Sequence, residues 1–586
     1  MMSKLLSNWS LSRVFFAFLG AFALHRLEVL RHYYWTDFYP TYFPVSKFEG
    51  AIFLLKTNNA LITRGVLNDI FIAFLVAAAS YFLLSGMRRK ILLSAVVMFV
   101  VAAVLSANIE HIIYNGSHLK FGHVNNALSF TFISAQATPG FFKNLALFFI
   151  ASQFLFLIGA FIPKQREISY VCTALVVGMY VFQPIERNLL ASDILQASII
   201  DVSSFSDDFN SDLREFTLTA NANANDEINP TTDYNVLLVF MEGISNANIN
   251  EREMPNLSKL KENNLSFDRY FGNALLTANG LYSSLLGDYP NIFSRVLKWE
   301  QLTPQSELLN NSIASKLYEK GYQTTFMQSA PLAYMKKDTV LPMLGFKEVI
   351  GDHNFTGFAH SRNSWGVDDR TLFKNALDVI EGQDEERPWF MSLLTTGTHS
   401  PYNVPADYQP SVQPTRSRAI HYLDYSVNEL IDELGDRGIS DNTVVILTSD
   451  ESRATLTENP VKSQLSLHWL PLIVIHPESL KMSFNQTLDS RSLKKIVKIA
   501  LVDEPSYLSE FSDIPGQSLI LINHYSNKLI YYLKEEEILL FCQMPKLICR
   551  KIDGVKDPLA IVPDQAQKTF RFENLAAHLR AISSEN

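Results

Sequence analysis

Cysteine is scarce: Cys172, Cys542 and Cys549 are the whole complement of a 586-residue chain. That excludes a disulfide scaffold and a four-thiolate zinc site. A basic excess is also missing. Lys and Arg number 50 against 59 Asp and Glu, a net charge of −9. Nucleic acid is therefore excluded as a partner, since phosphate backbones call for the opposite balance. Charge of either sign is thin, 19% of residues against 47% apolar, below what a soluble enzyme carries. What the chain has in abundance is apolar sequence, and it is unevenly spread.

Residues 1–185 hold nearly all the long apolar runs. Those at 67–86, 91–107, 144–163 and 169–184 approach the ~20 residues that cross ~30 Å of hydrocarbon. A fifth, 11–28, has a short apolar centre from Val14 to Leu24, followed at once by His25, Arg26 and Glu28. About five spans are expected. Arg88, Arg89 and Lys90 follow the span at 67–86, and Lys164 and Arg166 follow that at 144–163. Basic loops face the cytoplasm, so the chain after 185 lies on the extracytoplasmic side of a cell membrane. The intervening outer loop carries His111, His118 and His123, which read either as a ligand cluster or as interfacial polar residues beside a path for lipid.

Leu189, Leu190, Ile194, Leu195 and Ile199 recur with helical spacing, as in an amphipathic helix lying on a membrane. Residues 201–233 are rich in Ser, Asp and Asn and read as a linker, so 186–233 joins two domains. From 234 to 505 short apolar runs alternate with helical patterns. Runs at 235–241, 388–394, 442–447, 470–475 and 323–327 read as strands, and 312–320, 370–381 and 418–436 as helices. Continuous β-branched runs suit strands covered on both faces. The expectation is an α/β domain with a mostly parallel sheet.

Such folds collect their chemistry beyond the C-terminal strand ends. There stand Glu242, then Asp450 and Glu451, then the stretch from Thr395 to His399, with His468 just ahead of the run at 470–475. Singly, Glu242 could cap a helix and Asp450 could close an Asx-turn. Together, carboxylates at one pole repel unless a cation joins them. Thr277 opens ANGLYSSLLG, a short helix. It reads as an N-cap or as a nucleophile beside a phosphate held at the helix N-terminus, its hydroxyl activated by a divalent cation.

The stretches VLLVFMEG (236–243), MPNLSKL (254–260), LLTANGLYSSLLG (275–287), WGVDDRTLF (365–373), LLTTGTHSPYNVP (393–405), YLDYSVNELIDEL (422–434), VVILTSDES (444–452) and HWLPLIVI (468–475) resemble the lipoteichoic acid synthases and phosphoglycerol transferases of the sulfatase (alkaline phosphatase) superfamily. The phosphoethanolamine transferases come second. The resemblance covers about 235–477 and includes the family's five-span anchor. It implies a sulfatase-like α/β domain behind a helical transmembrane domain. It implies one divalent metal at Glu242, Thr277, Asp450 and Glu451, with Thr277 covalently modified and His399 and His468 touching the headgroup or leaving oxygen. Where the family reads Ser-Asp-His, this chain reads Ser449-Asp450-Glu451; an all-oxygen set favours Mn²⁺ or Mg²⁺ over Zn²⁺. Family members carry Trp and Arg near 334–338 to hold the phosphoglycerol; this chain departs there with YMKKD, where Lys336 or Lys337 substitutes without the bidentate fork, and Lys337 and Trp365 are the further substrate-binding candidates.

The implied function is a membrane-anchored transferase that moves a phosphoglycerol or phosphoethanolamine headgroup from a phospholipid donor to a glycan or lipid acceptor through a phosphothreonine. Two other readings compete: a phosphodiesterase, phosphatase or sulfatase-like hydrolase on the same site, and a non-enzymatic membrane protein with a decayed site. A true sulfatase needs Cys or Ser in a Cys/Ser-x-Pro-x-Arg setting, which TANGLYSS lacks. Residues 506–586 read as an appended subdomain with strands at 519–523 and 528–533. In it Cys542 and Cys549 flank a turn containing Pro545, as a disulfide or as a reduced pair.

Overall fold

The computed structural model describes residues 10–33, 47–87, 89–115, 118–119, 139–158, 227–289, 309–357, 359–363, 365–399, 402, 404–410, 415–452, 465–502, 507–523, 528–543, 548–560 and 568–571. The chain divides into two compact units, Met1–Ser204 and Phe205–Asn586.

The first unit is helical: α1 (Leu11–Tyr33), α2 (Lys47–Thr57), α3 (Asn59–Leu84), α4 (Lys90–Asn115) and α5 (Pro139–Ile158). Asn59–Leu84, Lys90–Ile112 and Gly140–Ile158 are long and apolar enough to cross a membrane. The runs at 67–86 and 91–107, and that at 144–163 as far as Ile158, thus form helices, while 159–163, the run at 169–184 and the amphipathic stretch at 186–200 lie outside the described residues. The first run extends to Tyr33, and Arg13, His25 and Arg26 turn inward. Arg26 clasps Asp69 with Nε–Oδ2 at 2.6 Å and a second bond at 2.9 Å, both side chains buried. Arg13 donates to the Phe156 carbonyl at 2.8 Å and lies 4.0 Å over that ring.

The second unit is built on an eight-stranded sheet. Its strands are β1 (Asn235–Phe240), β2 (Leu265–Phe267), β4 (Gln323–Gln328), β5 (Glu348–Ile350), β8 (Trp389–Leu394), β9 (Thr443–Thr448), β11 (Leu472–Ile475) and β12 (Met482–Phe484). The order is β12-β2-β11-β9-β1-β8-β4-β5. β1 pairs in parallel with both β8 and β9, while β11 is antiparallel to β9 and β2. Every other pairing in this sheet is parallel, so the mostly parallel expectation holds.

The central strand explains the arrangement. Val236, Leu238 and Phe240 enter one buried cluster and Leu237, Val239 and Met241 the other, on opposite faces. Period-two alternation with both faces apolar forces burial between two layers. The layers come from α6 (Pro255–Asn263), α7 (Thr277–Leu286), α8 (Ile313–Glu319), α9 (Lys337–Met343), α10 (Asp369–Glu381), α11 (Thr415–Asp436), α12 (Leu493–Ala500) and α13 (Tyr507–Ser512). One motif stretch caps another: Asp424 on α11 accepts from the Leu257 and Asn256 amides at 2.8 and 3.1 Å, closing the first turn of α6.

Small strand pairs complete the unit. β3 (Tyr270–Phe271) lies between β10 (Trp469–Leu470) and β13 (Leu488–Asp489), and β6 (Arg362–Asn363) pairs with β7 (Gly366–Val367). A five-stranded antiparallel sheet follows: β14 (Leu519–Asn523), β15 (Lys528–Leu533), β16 (Ile538–Gln543), β17 (Ile548–Ile552) and β18 (Lys568–Arg571). Cys542 is disulfide-bonded, and Cys549 stands directly across from it. This sheet shares a core with Phe271 and Leu465. Its first strand also joins the segment before α7: Ile522 N–H donates to the Asn273 carbonyl at 2.8 Å, and Leu275 N–H to the Ile522 carbonyl at 3.4 Å.

Candidate active site

Glu242 lies two residues past the end of β1 and is buried. The loop after β8 grips its backbone on both sides. Its N–H donates to Thr395 Oγ1 at 3.0 Å, and its carbonyl accepts from Thr398 Oγ1. That loop is hung in turn from Asp369, whose Oδ1 accepts from the Thr396 and Gly397 amides at 3.2 and 3.0 Å. Asp369 is wholly buried, and burial pushes its carboxyl up to about 7.

Asp450 lies two residues past β9, directly beside Glu242, because β9 and β1 are parallel neighbours in register. Its Oδ1 accepts from Gly243 N–H at 3.4 Å, and its buried Oδ2 meets no hydrogen-bond partner among the described residues. Leaving a buried carboxylate oxygen unsatisfied costs about 1–3 kcal/mol, so this atom points to a ligand.

Thr277 is the first residue of α7, half-buried, and its Oγ1 donates to Glu242 Oε2 at 3.3 Å. Two local features aim it there. Leu276 has φ 101°, a conformation a branched side chain rarely adopts; such strain costs on the order of 1–3 kcal/mol and is typical of functional turns. Its N–H is held by Glu451 Oε2. Asn273, upstream, is locked by Asp489 at 3.0 Å and by the Ser283 and Ser490 hydroxyls, each at 2.8 Å.

Lys337 is buried, and its Nζ donates to Gln328 Oε1 at 3.0 Å, at the end of β4. Burial lowers its ammonium to about 8, and the charges of Glu242 and Asp450 act the other way. Met335 and Lys336, just before it, both have positive φ, 58° and 51°. Of the two lysines open in the sequence, Lys337 is the one turned inward. Trp365 and His399 pack with ring centroids 3.8 Å apart and their planes tilted by 36°. His468 is buried, with Nδ1–H donating to the Gly272 carbonyl at 2.9 Å, and burial drops it to about 4. It is therefore neutral at pH 7, with Nε2 a bare acceptor.

Thr277 thus bonds Glu242, Asp450 reaches the amide after Glu242, Glu451 holds the amide before Thr277, and Lys337 feels the charges of Glu242 and Asp450. Among the described residues, no three His, Cys, Asp or Glu side chains form a ready-made cation cage. The donor chemistry nevertheless fits a hard cation. Asp450 Oδ2 has no partner among the described residues, and the neighbouring Thr277–Glu242 pair offers oxygen donors, as does Glu451. Sequence reasoning passed over Asp369 and Asn273. The first sits inside a stretch already singled out, WGVDDRTLF, while Asn273 carries no signal until its partners are known.

Residues 234–491 match the family model described as Sulfatase. The chain is similar to the inner membrane protein YejM of Salmonella typhi, 24% identical over 247 residues, 41% of this chain and 38% of that protein. It is similar to lipoteichoic acid synthase 2 of Bacillus subtilis (strain 168), 20% identical over 230 residues, 37% of this chain and 35% of that protein. Each alignment therefore spans little more than a third of the curated relative. Among solved structures it is similar to a protein in the alkaline phosphatase superfamily from Vibrio parahaemolyticus. That match has a TM-score of 0.50 and 17% identity, and covers 65% of this chain and 96% of that one. The C-terminal lobe accordingly resembles the Sulfatase family over 234–491 and has an alkaline-phosphatase-like fold.

Proposed function

We propose that this chain is a membrane-anchored phosphotransferase. It moves a phosphoglycerol or phosphoethanolamine headgroup from a phospholipid to a glycan or lipid acceptor, through a phosphothreonine at Thr277, on the extracytoplasmic side. The observation that carries the proposal is the Thr277–Glu242 hydrogen bond at the head of a helix seated against Asp450.

Phosphoryl transfer needs positioning and charge neutralisation more than covalent assistance. Glu242 Oε2 takes the Thr277 hydroxyl proton as Oγ bonds to phosphorus and the bond to the diacylglycerol oxygen breaks. His399 gives that leaving oxygen a proton. In the second half the acceptor hydroxyl attacks phosphorus and releases Thr277; the acceptor's proton goes to His399 and Glu242 returns its own. Lys337 supplies a fixed positive charge to the phosphoryl oxygens. His468, with only a bare nitrogen to offer, accepts from a headgroup hydroxyl or amine. Glu242, Thr277 and Asp450, with Glu451 beside them, would hold one divalent cation, which when bound lowers the cost of negative charge on oxygen. Mn²⁺ or Mg²⁺ suits these ligands, with Zn²⁺ the poorer match.

Intact-mass spectrometry of the full chain after incubation with phosphatidylglycerol or phosphatidylethanolamine tests this. A headgroup adduct is expected on wild type and absent from Thr277→Ala; an adduct of equal yield on Thr277→Ala refutes the assignment. Release of free headgroup with no transfer to added glycans or lipids favours the hydrolase. A second reading, a binding domain without catalysis, draws on Glu451, whose carboxylate is engaged with the Leu276 amide. It expects no adduct on either protein.

A further inference from the structure

The helical unit buries a polar cluster that the chemistry at Thr277 does not use. Asn108 on α4 is fully buried, and its Oδ1 accepts from Leu119 N–H at 2.6 Å. That bond settles which side of the amide is oxygen. The amide nitrogen then stands 2.7 Å from His25 Nε2 and 3.0 Å from His118 Nδ1. An amide NH₂ only donates, so both ring nitrogens accept and neither carries a proton. Both imidazoles are neutral, and each has its hydrogen on the far nitrogen. For His25, 2% exposed, that nitrogen is Nδ1, which is buried and meets no hydrogen-bond partner among the described residues.

Neighbouring groups do not supply the missing acceptor. The Asp69 carboxylate is forked by Arg26, whose remaining reach goes to the Gly65 carbonyl at 3.1 Å. Phe148 presents only a ring, its centroid 6.2 Å from that of His25. Position narrows the choice of ligand. Arg13, on the same helix, meets Phe156 near the end of α5. His25 lies about 18 Å further along at ~1.5 Å per residue. The cluster therefore sits toward the end of the bundle where α1 and α4 finish and α3 begins. Ionisable and polar groups buried in a membrane bundle mark binding or transport sites. At a bundle end, the oxygens within reach are those of lipid phosphate and glycerol ester groups.

We propose that His25, Asn108 and His118 form a phospholipid site, with His25 Nδ1–H donating to a phosphate or ester oxygen of the lipid. The contacting groups carry no net charge, because both imidazoles are neutral and Arg26 cancels Asp69. The site therefore takes phosphatidylglycerol and phosphatidylethanolamine alike. It does not take free glycerol phosphate, whose anionic charge gains nothing there. This site stands independently of the reading of Thr277.

The test uses the full chain carrying Thr277→Ala, so that turnover cannot consume the lipid and failure here is separate from failure of the transferase. Native mass spectrometry of delipidated protein titrated with phosphatidylglycerol, phosphatidylethanolamine or glycerol phosphate should show one tightly held phospholipid of either headgroup and no glycerol phosphate. His25→Phe, which keeps the ring and removes the donor, should weaken retention about tenfold. A second measurement needs no variant: in ¹⁵N-histidine-labelled protein, the His25 Nδ1–H resonance should move on lipid addition. Equal retention by His25→Phe, an unmoved resonance or equal binding of glycerol phosphate each overturns the proposal.

Discussion

A Cβ on Gly280 would lie 1.7 Å from the backbone carbonyl oxygen of Asp450. Helix α7 therefore approaches the β9 strand end as closely as backbones allow, and this contact brings Thr277, one turn earlier, to Glu242. Glycine at 280 is a condition of the site.

In an ordinary helix interior Gly280→Ala would gain roughly 1 kcal/mol from propensity. Here the clash is with backbone rather than a movable side chain, and overpacking of that kind costs typically 1–3 kcal/mol. The clash wins. Thermal unfolding should show a lowered midpoint for Gly280→Ala, and headgroup capture at Thr277 should fall more steeply than stability does, because α7 must back away from Asp450. Unchanged stability with full capture would show that the helix has room this packing denies.

Asp369 gives the lobe a pH signature. Its folded value is near 7, against ~3.9 in an unfolded chain. The folded state therefore holds this proton more tightly than the unfolded state. The stabilisation is complete below about pH 4 and is lost as pH rises toward 7. Its size is at most a few kcal/mol, at ~1.4 kcal/mol per tenfold change in affinity. Asp369→Asn keeps the oxygen that accepts from Thr396 and Gly397 but cannot ionise. Unfolding midpoints measured from pH 4 to 8 should fall less steeply for the variant than for wild type. Parallel curves would mean that Asp369 stays ionised in the folded lobe.

Much of this architecture is legible in the residues alone. Asn235–Phe240 and Thr443–Thr448 announce themselves as buried strands because both faces are apolar, and the polar residues after them mark the site. Short strands such as Tyr270–Phe271 and Leu488–Asp489 escape, since two residues carry no period and exist only through pairing. Asn273 is invisible for a similar reason: its partners Asp489 and Ser490 lie far along the chain. His25 and Arg26 look like the end of an apolar run, yet the helix continues because Asp69 and Asn108 receive them. Burial of charge is decided by partners, which local pattern does not display.

Glu451 does two jobs that substitution separates. Its carboxylate accepts from the Leu276 amide and so steadies the strained residue before Thr277; it also directly follows Asp450 in the chain. Glu451→His removes a charge-assisted hydrogen bond, worth about 1.5–3 kcal/mol, so without added ions the lobe should melt earlier. The same change puts an imidazole among oxygen donors, which moves preference from Mn²⁺ toward Zn²⁺. Calorimetric titration of both ions into both proteins reads the second effect apart from the first. If the variant melts earlier but its ion preference is unmoved, Glu451 serves only the turn, and the cation rests on Glu242, Thr277 and Asp450. If neither quantity changes, the bond to Leu276 is not what holds that turn in place.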